Sequence, residues 1–170
     1  MGLPIEFDAE RAVVLSGGQS LVFHCHFYNC ALQHAIEDGM GDAAPGVLTA
    51  GAAEVVHAQM KALATQAEDL SAFAERAFSE LGFGVLDLSG VSAQGGEAIV
   101  RASHYAMGWT AVHGARETPA CFFPAGFIQG AVAAAHGLEL ASVTVAETGC
   151  YAVGAEDCRF TVRTNSEVSR

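Results

Sequence analysis

One stretch near the end of the chain restricts its fold more than any other: ETGCYAVGAEDC, which sets Glu147, Cys150 and Cys158 around a strand-to-strand return. Before it, Leu138 to Glu147 alternates cleanly between two faces; after it, Arg159 to Thr164 reads as a further strand. Glu147 and Cys150 stand three apart where a strand relaxes into a turn, a spacing that lets both side chains converge. The loop containing Gly154 returns Cys158 to the same place, and Cys121, just ahead of a helical run, completes a four-donor set. Zinc accepts three thiolates and a carboxylate in four-coordinate geometry, and closed protein-only sites of this kind are structural. A helix N-terminus also stabilises the Cys121 thiolate. On spacing alone the same cysteines read equally well as small core residues, because free cysteine is among the most buried residue types.

The rest of the chain supplies helices and a sheet. Gly2 to Gly17 reads as extended arms or a hairpin, and Leu21 to Asp38 as a helix N-capped near Ser20 and stopped by Gly39. Helices are also expected over Val47 to Ala67, Leu70 to Leu81 and Phe122 to Ala135, with strands over Phe83 to Leu88 and Ala98 to Ala106. The tail from Asn165 to Arg170 is polar and expected to fray. With no repeat or linker, residues 1–170 are expected to form one α+β domain, an antiparallel sheet packed against several helices.

Charge narrows the function. Eight Lys and Arg against 19 Asp and Glu give a net charge of −11, a poor supply of cations for nucleic-acid phosphates or an anionic membrane. No apolar stretch is long enough to span a bilayer, and the start MGLPIEFDAER lacks the features of a signal peptide, so a cytoplasmic protein is expected. In a reducing compartment the five cysteines are free thiols or metal ligands rather than a disulfide framework. A phosphate-loop Lys-Ser pair, a Gly-x-Ser-x-Gly elbow and a dinucleotide fingerprint are all missing.

The stretch PACFFPAGFIQGAVAAAHGLELASVTVAETGCYAVGAEDCRFTV, residues 119–162, resembles the C-terminal signature of the 4-vinyl reductase (hydrocarbon-binding) domain family. It shows Pro-x-Cys before a helix with Gly-x-x-x-Gly, a strand ending in Glu-x-x-Cys, a small loop and Cys-x-Phe. The family is related to the sensor domains of phenol-responsive transcription activators and to vesicle-tethering TRAPP subunits. The resemblance implies a TRAPP-like, NO-signalling-type ligand-binding fold, an intertwined homodimer with an apolar pocket in each subunit, and a structural Zn²⁺ on Cys121, Glu147, Cys150 and Cys158. The related phenol sensors grip the phenolic hydroxyl with a His and a Trp, a part that Trp109 with His104 or His113 would play here.

The pocket must also be sought in the residues themselves. In a pocket expected between the first helix and the sheet, Phe23, Phe27, Phe123 and Phe127, with Trp109 and His104, are candidate walls for a small apolar or aromatic ligand, although aromatics also simply fill cores. Three of seven histidines fall on the first helix. At about 100° per residue, His26, Cys30 and His34 share a stripe roughly 80° wide, with His24 nearly opposite His26. That stripe offers ligands for a second transition metal, an acid or base, or contacts to the ligand. It fits a plain helix interface as well. Three functions follow as expectations: a stand-alone small-molecule sensor or carrier with a structural zinc; a metalloenzyme acting through His24, His26 or His34 on a pathway intermediate; and an interaction subunit.

Overall fold

The computed structural model describes residues 5–16, 18–22, 25–64 and 67–165. Its first element is a meander of three short antiparallel strands, β1 (Ile5–Asp8), β2 (Val13–Ser16) and β3 (Gln19–Leu21), in which Val14 opposes Leu21. That pairing takes Leu21 out of the expected first helix. α1 runs instead from His26 to Met40, capped by Cys25, whose Sγ accepts from Tyr28 N at 3.3 Å. It passes through Gly39 and stops at Gly41, which takes a positive φ of 54°. Phe23 and His24 lie outside the described residues.

α2 (Ala44–Leu63) begins with Pro45 in its first turn, where the missing N–H is no loss. α3 (Leu70–Glu80) opens on Asp69, whose carboxylate accepts from Ala72 N at 3.0 Å. The main sheet follows: β4 (Val85–Asp87), the short β5 (Val91–Ser92) and β6 (Gly95–Arg101), completed by β7 (Val143–Gly149) and β8 (Cys158–Thr164). Its order is β4-β6-β8-β7, all antiparallel, with β5 beside β6.

The expected strand over Ala98 to Ala106 is corrected at its second half. β6 ends at Arg101, Ala102 turns at φ 52°, and α4 occupies His104–His113. A non-glycine residue at positive φ cannot continue a strand, and the Ser103 carbonyl already accepts from Met107 N at 2.9 Å. His104, Tyr105, Trp109 and His113 therefore share one helix. β7 likewise starts five residues later than expected, after a 3-10 turn at Leu140–Ser142.

α5 (Phe122–Ala135) is the centre of the molecule. Buried from Pro124 to Ile128 and from Gly130 to Ala133, it packs on α2, α3 and β7. An all-round apolar helix of this kind has to be enclosed. Phe78, Val100, Ile128, Val143 and Phe160 fill the core between it and the sheet, and all are fully buried.

Candidate metal centre and ligand site

β7 and β8 are in register at Val145 opposite Val162 and Glu147 opposite Phe160; the register then slips so that Gly149 opposes Arg159. One extra residue in β7 reverses its alternation, as a β-bulge does. Glu147 and Cys150, an odd number of positions apart, thereby reach the same side. A 3-10 turn at Tyr151–Val153 and Gly154 at φ 99° close the loop and return Cys158. Cys121 occupies the N-cap of α5, so its thiol arrives from the helical layer.

The four expected residues do converge: one donor atom each from Cys121, Glu147, Cys150 and Cys158 lies within 4.8 Å of all the others. All three cysteines are buried. Cys121 Sγ stands 3.4 Å from Cys158 Sγ and 3.1 Å from Ser103 Oγ, and Cys121 N donates to Glu147 Oε2 at 3.0 Å. Glu147 Oε1 is buried with no hydrogen-bond partner. Burial, then the negative charge of a Cys150 thiolate, push Glu147 up to about 8. Hydrogen bonds with Cys150 and Cys158 raise Cys121, while those from Cys121 and Cys158 lower Cys150. In so dry a pocket the four groups oppose one another's ionisation, which favours keeping protons on them. A dication reverses that balance, since metal ligands must be deprotonated and ligation releases their protons. An orphaned carboxylate oxygen beside three buried thiols is the donor set that such an ion fits.

Several partners of this centre escape a reading of the sequence. Ser103 hides inside the expected strand; as a helix-starting serine it is recognisable only with α4 in view. Gln33, buried on α1, donates to Ala120 O at 2.9 Å and to Glu37 Oε1 at 3.0 Å. Arg116 holds Glu37 through two hydrogen bonds, of 2.7 and 3.3 Å, and lies 4.2 Å above the Trp109 ring. These contacts fasten α1 to the loop that delivers Cys121.

A cavity of about 410 Å³ opens beside this layer. Expected between the first helix and the sheet, it takes its walls instead from helices and the α3–β4 turn. Leu32, Val47, Val56, Phe83, Phe123 and Phe127 make it apolar, and Asn29, Gln33, Gln59 and Tyr105 add polar groups. Phe83, Tyr105 and Phe123 pack ring to ring, with Phe83 and Tyr105 stacked at 6.4 Å between centroids. Burial, then Cys30 and Cys121, push Tyr105 up to about 12, so its hydroxyl keeps its proton. Of the candidate walls, Phe123 and Phe127 line this cavity, whereas Phe27, His26, Cys30, His104 and Trp109 do not. Phe27 is 69% exposed.

The histidine stripe also divides. His26 and Cys30 meet His104 of α4, with all three donors within 4.8 Å. His34 is displaced from that group: it packs edge-on against Trp109 and at a tilt against His113, and lies 3.6 Å from Asp38. The expected trio of His26, Cys30 and His34 is thus corrected to His26, Cys30 and His104, because one helical face splits between two neighbours on α4. Burial, then His26, hold His104 down at about 4. The unfolded chain takes up a proton near 6.5 that the folded ring refuses, so this contribution to stability is complete above pH 6.5 and is lost as pH falls towards 4. In metal-free protein the unfolding free energy should fall across that window by ~1–2 kcal/mol after allowing for solvent screening of a half-buried ring, read as a lower thermal midpoint. His104→Phe should flatten the slope; an unchanged slope would assign it elsewhere.

Comparison with known proteins agrees with this architecture. Residues 103–164 match the 4-vinyl reductase domain family. The fold is similar to that of the phenol-responsive sensory domain of the transcription activator PoxR, solved with phenol, at a TM-score of 0.76 and 17% identity, over 94% of this chain and 84% of that one. It is also similar to a vinyl-4-reductase family protein from Methanocaldococcus jannaschii, at a TM-score of 0.54 and 16% identity, over 86% of this chain and 85% of that one. No curated protein sequence matches. The expected family resemblance and α+β fold are borne out. Among the described residues, no helix is long and apolar enough to cross a membrane.

Proposed function

We propose that this chain, whose residues 103–164 match the 4-vinyl reductase domain, is a small-molecule sensor or carrier for an apolar or aromatic ligand, braced by a structural zinc on Cys121, Glu147, Cys150 and Cys158. The observation that carries the reading is the cavity of about 410 Å³, apolar and aromatic on most sides with a few polar groups at its wall. Small-molecule sites have this character and run from about 300 to 1,000 Å³. Tyr105 contributes a protonated hydroxyl for orienting a ligand's lone pair, and Phe83, Phe123 and Phe127 supply the faces for a ring. The similarity to a phenol-responsive domain supports the same class of ligand.

Gln33 gives the cavity a route to the metal centre. It lines the wall and donates to Ala120 O, the carbonyl next to Cys121. A ligand that moves α1 therefore pulls on the residue before a zinc ligand. Zinc supplies no chemistry in this reading; it ties α5 to the β7–β8 return so that the displacement is transmitted rather than absorbed. Exposed apolar side chains, among them Phe7 at 68% and Phe27 at 69%, support assembly with a second copy, which light scattering would count.

Mass spectrometry of compounds released from the native protein, followed by titration with probes from phenol to naphthalene, tests the assignment. Gly51→Phe supplies the matching variant: Gly51 lines the cavity and a Cβ there meets nothing within 4 Å. The new ring should occupy the cavity and weaken probe binding at least ~10-fold, with little loss of stability because glycine is a poor residue inside a helix. Release of no compound and binding of no probe would overturn the reading. Retention of a partner chain instead would favour an interaction subunit.

A further inference from the structure

The centre on Cys121 leaves a second group of metal-type donors unused. His26 opens α1, Cys30 follows one turn later, and His104 opens α4. Donor atoms of all three lie within 4.8 Å of one another, and each residue is half-buried. We propose that His26, Cys30 and His104 form a second, independent metal site for a borderline-soft divalent ion, with a fourth position left to water or a small lone-pair donor.

Three observations support it. First, the two imidazoles face each other through Nδ1 atoms 2.9 Å apart. Only one proton fits between them, and His104 Nε2 is buried with no partner, so the pair makes a poor structural hydrogen-bond network. A shared ion asks for little more: two nitrogens at about 2.0–2.1 Å from a tetrahedral zinc stand about 3.3–3.4 Å apart, so the rings need to part by only about 0.5 Å from the observed 2.9 Å.

Second, the helices are shaped around these donors. Gly108, one turn after His104, lies against them; a Cβ there would overlap Cys30 Sγ and come within 2.8 Å of His26 Nε2. Glycine at this position lets α4 approach α1 closely enough for the three donors to meet. Third, the donor chemistry is selective. Two imidazoles and a thiol favour zinc, cobalt or copper over the oxygen-seeking magnesium and calcium. Three protein ligands are also the number found in zinc sites that keep an exchangeable position, whereas closed structural sites take four.

The two sites are neighbours in sequence. Ser103 touches Cys121 Sγ, and the next residue, His104, belongs to the second group. The experiment must therefore read them separately. Metal-stripped full-length protein reconstituted with Co²⁺ should bind two ions per chain by mass spectrometry. Cys30→Ser should bind one, weakening the second site by on the order of 100-fold or more, since loss of a supporting residue alone costs 10–100-fold. Cys30→Ser should also remove one set of thiolate-to-cobalt absorption bands and leave the three-thiolate spectrum in place. In the wild type, azide should shift only the bands that Cys30→Ser removes. Gly108→Ala should give the same loss without altering any donor, and His104→Gln provides a further variant should either fail to fold. One ion per chain with a spectrum indifferent to Cys30→Ser would overturn the second site while leaving the first intact. Two ions with no Cys30-dependent bands would mark the second as adventitious.

Discussion

Cys150→Ser should lower the thermal midpoint of the metal-loaded protein by about 10 °C or more, equivalent to ~3–5 kcal/mol at roughly 2–4 °C per kcal/mol for a chain of this size. The effect is large because Cys150 is 1% exposed and its thiol meets donors from three other segments: Cys121 at the head of α5, Glu147 on β7 and Cys158 on β8. A structural zinc contributes its binding free energy to folding. Losing one ligand removes much of that contribution and leaves Glu147 Oε1, a buried polar atom with no hydrogen-bond partner, without the ion that would satisfy it. Chelation of the wild type should reproduce the shift, and after chelation wild type and variant should melt close together. Calorimetry of the four samples measures this directly; equal midpoints before chelation would remove the zinc from the folding free energy. Glu147→Gln should cost less, because an amide retains the contact with Cys121 N and buries no charge.

The legibility of this centre in the sequence has a physical cause. Glu147, Cys150 and Cys158 lie on one short return, so local geometry alone brings them together, and Cys121 sits at a helix start that the flanking pattern marks clearly. α5 is readable to the residue, Phe122 to Ala135, because an apolar run beginning after Pro119, interrupted only by Gln129 and closed by His136 and Gly137, admits little else. Residues 102–113 are not. Ala98 to Ala106 interleaves polar and apolar side chains as a strand would, and nothing local reveals that Ala102 turns at positive φ and Ser103 starts a helix. That one misreading conceals three things: the Ser103 contact with Cys121, the place of Tyr105 on the cavity wall, and the meeting of His104 with His26. The last depends on a contact 78 residues apart in sequence, which only tertiary packing sets. The cavity is misplaced for a related reason, since the pattern gives each helix an apolar face but not the neighbour it faces.

Gly126→Ala should destabilise the protein by ~1–3 kcal/mol or more, although a glycine-to-alanine change inside an exposed helix would be stabilising. The reversal comes from the contact between α2 and α5. A Cβ at 126 would overlap the Thr49 carbonyl oxygen and sit 2.7 Å from Ala52 Cβ and 3.0 Å from Ala53 N; one at 130 would sit 2.6 Å from the Ala53 carbonyl oxygen and 2.8 Å from His57 N. These neighbours are mostly backbone and cannot rotate away, so the helices must separate. α5 is held on its other side by β7 and, through Cys121, reaches the cluster with Glu147, Cys150 and Cys158, and α2 forms a wall of the cavity. Separation therefore opens the core and deforms the cavity together. Gly126→Ala with Gly130→Ala should cost more than either change alone and approach the whole stability of a domain of this size, about 5–15 kcal/mol. The measurement is chemical denaturation of both single variants and the pair, with probe binding followed in parallel. Single variants as stable as the wild type would mean that α2 and α5 do not pack through these glycines. A stability loss with unchanged probe affinity would separate the helix contact from the cavity it borders.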